Sequence, residues 1–296
     1  MPNIGFIGLG NMGAPMAANL VTSGDHVLGF DLVTAARQAC AQLGVEIAPS
    51  AKAAVETADI VITMLPAGEH VRAVWSEILP SAKRGALFID CSTIDVTSAR
   101  AAHALAAERG IGSLDAPVSG GVSGAKAATL TFMVGGAAAA FARGKPILER
   151  MGKRVVHCGD AGNGQAAKIC NNMILGASMI AVSEAFVLGE RLGLSHQALF
   201  DVASASSGQC WSLTSYCPVP GPVPASPANN GYKPGFAAAL MLKDLKLARE
   251  AAESTHVKTA IGAHAAEIYD CYAAAGHSAS DFSGIINFVR EGSKAS

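Results

Sequence analysis

The chain has 296 residues, half of them hydrophobic and 15% charged, so it can bury one large or two ordinary cores and is not a disordered sequence. Its formal charge of −1 gives no electrostatic case for a nucleic-acid partner or an anionic membrane. Seven cysteines without a Cys-x-x-Cys pair read as reduced thiols in a cytoplasmic protein, and eight histidines without ligand spacing point to no metal.

Residues 3–7 read as a short buried strand, followed at once by Gly8-Leu9-Gly10-Asn11-Met12-Gly13 and then a helix over residues 14–21. Strand before and helix after is the context a Gly-x-Gly-x-x-Gly turn needs to hold a dinucleotide. Gly8 permits the tight turn, Gly10 the approach of a pyrophosphate, and Gly13 the packing of helix on strand. Free N–H groups at the helix start favour the phosphates. No lysine or arginine precedes Arg37, so the basic region of a secretory signal is missing.

A second strand over residues 26–30 ends in Asp31, eighteen residues after Gly13. A carboxylate there accepts hydrogen bonds from ribose hydroxyls and repels a 2′-phosphate, which selects NAD over NADP. Strands then alternate with helices: helix 34–43, strand 45–47, helix 51–57, strand 59–65, helix 69–75, strand 86–89, helix 96–109 and strand 112–114. This rhythm predicts a doubly wound (Rossmann) α/β half with a mainly parallel sheet. Leu65-Pro66 and Thr93 fall at the carboxyl ends of strands, where such sheets bind ligands.

Ser119, Gly120 and Gly121 form a small-residue turn suited to a carboxylate, a plain turn being the alternative. Strands at 130–134 and 154–157 flank a helix at 138–151. From residue 165 the period changes, and helices are expected at 165–192, 196–205, 236–254, 259–275 and 282–289, interrupted by a proline- and glycine-rich loop at 217–235. The chain therefore divides near residue 162 into a domain of residues 1–162 and an all-α domain of residues 163–296, with a long inter-domain helix. That helix is about 40 Å long at 1.5 Å per residue and apolar on most faces, so other helices or another subunit should enclose it. It is too polar and small-residue-rich for a clean membrane span.

Gly162 and Gly164 open this helix and allow a close ligand approach. Lys168 and Asn172 share one helical face. Between Asp160 and Glu190 only Lys168 and Glu184 are charged. Burial there disfavours the ammonium and lowers its pKa from about 10.4, which makes a proton-transfer group; the alternative is a snorkelling lysine. Lys243-Asp244 lies on a later helix, either facing an anion or forming a solvated surface pair. Trp211 is a packing residue or a pocket wall.

Taken together, Phe6–Met16, Asp115–Gly121, Gly162–Asn172 and Lys243–Ala248 resemble the β-hydroxyacid dehydrogenase family over essentially the whole chain, in that order and spacing. Ser206–Trp211 followed by Pro218–Gly221 resembles its hydroxyisobutyrate branch. The resemblance implies NAD-dependent oxidation of a short 3-hydroxy acid, 3-hydroxyisobutyrate before others, as in valine catabolism. On the family pattern Lys168 is the catalytic acid/base and Asn172 orients substrate. Ser119, Gly120, Gly121, Lys243 and Trp211 bind substrate. Gly8, Gly10, Asn11, Met12, Gly13, Asp31, Leu65, Pro66, His70, Thr93, Phe236 and Lys243 bind NAD. His70 stands where relatives often carry asparagine, and Lys233-Pro234 where they are glycine-rich. Siblings acting on L-serine, 3-hydroxypropionate or a semialdehyde, an imine reductase, and a non-catalytic NAD-binding sensor remain alternatives. A homodimer or homotetramer is expected.

Overall fold

The computed structural model describes residues 1–292. The chain divides into two compact units, Met1–Lys168 and Ile169–Ser296.

The first unit is built on one sheet with strands β1 (Asn3–Ile7), β2 (His26–Phe30), β3 (Glu46–Ile47), β4 (Ile60–Thr63), β5 (Leu87–Asp90), β6 (Gly112–Asp115), β7 (Val118–Ser119), β8 (Leu130–Gly135) and β9 (Gly152–Gly159). Their order is β3-β2-β1-β4-β5-β6-β8-β7, with β9 on β8. The six strands from β3 to β6 run parallel, whereas β8 is antiparallel to β6 and β7. Interleaved are helices α1 (Gly13–Thr22), α2 (Thr34–Ala41), α3 (Ala51–Val55), α4 (Gly68–Ile78), α5 (Val96–Ala107), α6 (Gly121–Lys126) and α7 (Ala138–Leu148).

Successive strand side chains point to opposite faces, and both faces are buried. Ile4, Phe6, Ile62 and Ile89 pack with Met16, Leu20, Cys40 and Ile147 of α1, α2 and α7. Ile7, Val61 and Phe88 pack with Val55, Trp75 and Ala102 of α3, α4 and α5. Two cores on one sheet are the doubly wound arrangement. Caps are local: the Ser50 hydroxyl accepts the Ala53 N–H, and Asp95 accepts the Ser98 N–H. The two-residue β7 and the six-residue α6 were absent from the sequence expectation, which had only a turn there. Both are too short to show a period.

Helix α8 (Asn163–Arg191) starts in the first unit and continues into the second. The second unit holds α9 (His196–Ser204), α10 (Trp211–Thr214), α11 (Ala238–Ser254), α12 (Ala260–Tyr272) and α13 (Ile285–Gly292). Met179, Met241, Leu245, Tyr269 and Phe282 form one apolar cluster, and Phe186, Leu213, Val219 and Ile286 another. The helix expected to reach residue 275 stops at Tyr272, where a wide turn ends on Gly276 at φ 94°. The helix expected at 282–289 opens as a tight 3₁₀ turn, Phe282–Gly284, started by Asp281 accepting the Ser283 N–H.

Candidate active site

Strand order reverses between β1 and β4, which places the ligand crevice of this sheet type at the carboxyl ends of those strands. The Gly8–Gly13 turn stands there. Gly8 has φ 98°, and a Cβ on it would lie 2.2 Å from the Met64 carbonyl oxygen; one on Gly13 would lie 1.9 Å from the Gly8 oxygen. A Cβ on Gly10 meets nothing within 4 Å. Helix α1 also begins without a side-chain cap. The turn is crowded by protein at two glycines and open at the third.

Asp31 binds the end of β2 to this turn, its carboxylate accepting the Leu9 N–H at 2.7 Å and the Val33 N–H at 2.8 Å. Each oxygen keeps a further lone pair for an outside donor. Arg37 stands beside it, donating to the Leu32 carbonyl and the Thr34 hydroxyl, with its guanidinium carbon 5.8 Å from the centre of the Phe30 ring. Nothing in the sequence singled out Arg37, since a lone arginine on an early helix carries no pattern. The Leu65 N–H donates to the Ser92 hydroxyl at 2.8 Å, tying the ends of β4 and β5 together. Thr93 is half-buried beside this contact, whereas Pro66 and His70 are exposed.

The first turn of α8 is brought to the ends of β5 and β6 by two buried side chains. Asp115, closing β6, accepts the Gly162 N–H at 2.8 Å and the Gln165 N–H at 2.9 Å. Gln165 accepts the Ile94 N–H at 3.1 Å and donates to the Ser92 carbonyl at 2.7 Å, gripping both sides of Thr93. Lys168 follows one turn later and is only 6% exposed. At Gly164 the close approach is made by the strands: a Cβ there would lie 2.4 Å from the Met133 oxygen and 2.5 Å from the Asp115 oxygen. Ser119 ends β7, and Gly120 and Gly121 take φ values of 131° and 62° into α6, a backbone path that favours glycine.

In the second unit Asn172 is 1% exposed and its Nδ2 donates to Asp244 at 2.5 Å, while its own oxygen accepts from Asn171. Asp244 is 4% exposed and Lys243 is half-buried, so this dipeptide is not a solvated surface pair. Trp211 stacks on Tyr216 with centroids 4.9 Å apart, Tyr216 stacks on Phe282, and Phe236 meets Phe282 edge-on. The Tyr216 hydroxyl donates to Asp281 at 2.9 Å; burial, and then the Asp281 charge, push its phenol far above the usual range. Asp281 also accepts the Gly235 and Phe236 N–H groups, fixing the end of the proline-rich loop. Sequence reasoning missed Tyr216, Asp281 and Gln165, because each acts on partners remote in the chain.

A family model described as the NAD binding domain of 6-phosphogluconate dehydrogenase matches residues 3–159, and one described as NAD-binding of NADP-dependent 3-hydroxyisobutyrate dehydrogenase matches residues 162–289. A probable 3-hydroxyisobutyrate dehydrogenase of Mycobacterium bovis is 55% identical over 98% of both chains. An NAD-dependent L-serine dehydrogenase of Pseudomonas aeruginosa is 46% identical over 96% of both. A solved structure of the Mycobacterium tuberculosis 3-hydroxyisobutyrate dehydrogenase with L-serine is 55% identical, with a TM-score of 0.96 over 98% of this chain and 99% of that one.

Proposed function

The chain belongs to the β-hydroxyacid dehydrogenase family, and from that premise we propose that it oxidises 3-hydroxyisobutyrate to methylmalonate semialdehyde with NAD, as in valine catabolism. The observation that carries this reading is a lysine, Lys168, buried one turn beyond a helix start pinned to the ends of β5 and β6.

The glycine turn fits a dinucleotide, because the space at Gly10 is open while Gly8 and Gly13 are filled by protein. Gly8, Gly10, Asn11, Met12 and Gly13 would hold the diphosphate, Asp31 the ribose, and Leu65, Pro66, His70, Thr93, Phe236 and Lys243 the remaining contacts. NAD when bound supplies the hydride acceptor. Ser119, Gly120 and Gly121 bind the substrate carboxylate through backbone N–H groups. Lys168 takes the proton from the substrate hydroxyl as the carbinol carbon is oxidised, and returns it in the reverse direction. Asn172, its amide held by Asp244, would orient the substrate, and Lys243 and Trp211 are the further substrate contacts of this reading.

L-serine is the second reading, favoured by the serine-bearing relative and by the serine dehydrogenase among those compared. The test is kcat/KM with NAD for 3-hydroxyisobutyrate, L-serine, 3-hydroxypropionate and D-glycerate. We expect 3-hydroxyisobutyrate to lead, and over 3-hydroxypropionate by about tenfold or more, the scale at which a pocket reads one methyl group. L-serine in first place would replace the first reading with the second. NADH binding without turnover of any of them would leave a sensor.

The proposal includes a cytoplasmic homo-oligomer, a dimer or tetramer. Ile174 and Leu188, 67% and 60% exposed, lie along one face of α8 with Leu192 beyond its end. Large exposed apolar patches are rare in monomers. A 30 kDa species by light scattering at micromolar concentration would refute it.

A further inference from the structure

We propose that Asp115 is a positioning residue for Lys168: its carboxylate closes the start of α8 and thereby fixes where the lysine stands. The proposal rests on Lys168 being the base.

Asp115 is 1% exposed, and its two oxygens divide the first turn of α8 between them, Oδ1 accepting from Gly162 and Oδ2 from Gln165. An ordinary N-cap residue is adjacent to its helix in sequence and moves with it. This carboxylate comes from the end of a central strand, 47 and 50 residues earlier, so it fixes the helix against the sheet. Its surroundings are cut to its shape. A Cβ on Gly135 would lie 2.5 Å from Oδ1, and one on Gly164 would lie 2.8 Å from Oδ2.

A third donor holds the carboxylate. His103 Nε2 lies 2.9 Å from Oδ1, and His103 Nδ1 lies 2.7 Å from the Ser113 hydroxyl. With the carboxylate as acceptor, Nε2 carries a proton, and Nδ1 pairs with the Ser113 hydroxyl. The residue types are those of a hydrolytic triad, but the ring is reversed, its Nε2 rather than Nδ1 facing the acid, and Ser113 is buried. The chain of hydrogen bonds therefore ends in the protein and serves to hold Asp115. Gln165, whose N–H Asp115 receives, grips both sides of Thr93 and lies three residues before Lys168. Loosening Asp115 shifts the turn that aims the lysine, and a displacement of about 1 Å can cost about 10²-fold in rate.

The test uses the full chain and measures kcat, hydroxy-acid KM and NADH affinity for Asp115→Asn, His103→Leu, Lys168→Ala and Asp25→Asn. Asp25, a buried carboxylate paired with Arg150 before the start of β2, is the control for stability loss alone. Asparagine keeps the shape of Asp115 but sets an amide against one of the helix N–H groups. We expect kcat to fall about 10–100-fold in Asp115→Asn and about 3–10-fold in His103→Leu, with NADH affinity within about twofold of native in both. Asp25→Asn should melt earlier and keep its kcat. Native kcat in Asp115→Asn overturns the proposal, as does an equal kcat loss in Asp25→Asn. Should Asp115→Asn not fold, His103→Leu decides by the same criterion. An inactive Lys168→Ala beside an unaffected Asp115→Asn removes only the positioning role, whereas an active Lys168→Ala removes the assignment of the base.

Discussion

At the start of α1, Gly10 faces open space and no side chain closes the first turn. At the start of α8, Asp115 takes the Gly162 and Gln165 amides, and Gly164 lies against the backbone of the strands. Both turns are spelled with spaced glycines and both present N–H groups that attract negative charge. One leaves that attraction to a ligand, and the other spends it on the protein's own carboxylate. A glycine motif thus specifies a close approach, while the topology decides what approaches.

The largest expected effect breaks that pair of helix starts apart. Lys168→Ala should lower kcat by about 10²–10⁴-fold while leaving NAD affinity nearly intact, since the proposed function assigns proton transfer to α8 and nucleotide binding to α1. Lys168→Arg should be almost as damaging, because a guanidinium stays protonated. Parallel losses of kcat and NAD affinity would deny the division. Next, Gly8→Ala should cost about 3 kcal/mol of stability through its positive φ and the Met64 contact. Gly10→Ala should stay within about 0.5 kcal/mol of native yet weaken NADH binding, and equal destabilisation would mean that the space at Gly10 is not open.

A smaller effect sharpens the comparison at Asp90, which is in register with Asp115 but has no helix start to serve. Its Oδ1 accepts from Thr63 and Ser92, and its Oδ2 is buried without a partner. Burial, with Asp115's charge as a lesser cause, raises its pKa to about 6. A raised carboxylate stabilises the fold while protonated, below about pH 4, and loses that contribution as pH rises through 6. Asp90→Asn should therefore gain on the native protein between about pH 4 and 6 and keep that gain above it, read by urea unfolding at several pH values. A constant difference would mean that Asp90 does not titrate there. Smallest is Asp31→Asn, which should narrow the NAD-over-NADP ratio by about tenfold, or about 1.4 kcal/mol, with Arg37 already beside the site. An unchanged ratio would move the discrimination away from Asp31.

Much of this was legible in the amino-acid sequence, for physical reasons that also mark where reading stopped. Strands such as Ile60–Thr63 and Leu87–Asp90 are buried on both faces, so they announce themselves as short apolar runs between turns. The glycine turn and Asp31 sit at fixed offsets and were found together. Gly164 was recognisable as a point of close approach, but not as one facing strands, because Met133 and Asp115 are distant in sequence. His103 carries no pattern of its own in the sequence, and only the fold brings Ser113 and Asp115 to its two nitrogens. Val118–Ser119 is too short for any period to reveal.

Gln165 spans the peptide groups on either side of Thr93. Loops that carry ligand contacts usually open by themselves, at the low end of a protein's local stabilities. Here the Ile94 amide meets solvent only after a side chain 71 residues away lets go. Its exchange with deuterium therefore clocks the fraying of the helix that carries Lys168. A cofactor that holds the loop closed is thereby coupled to the lysine's helix, and that coupling runs equally in both directions.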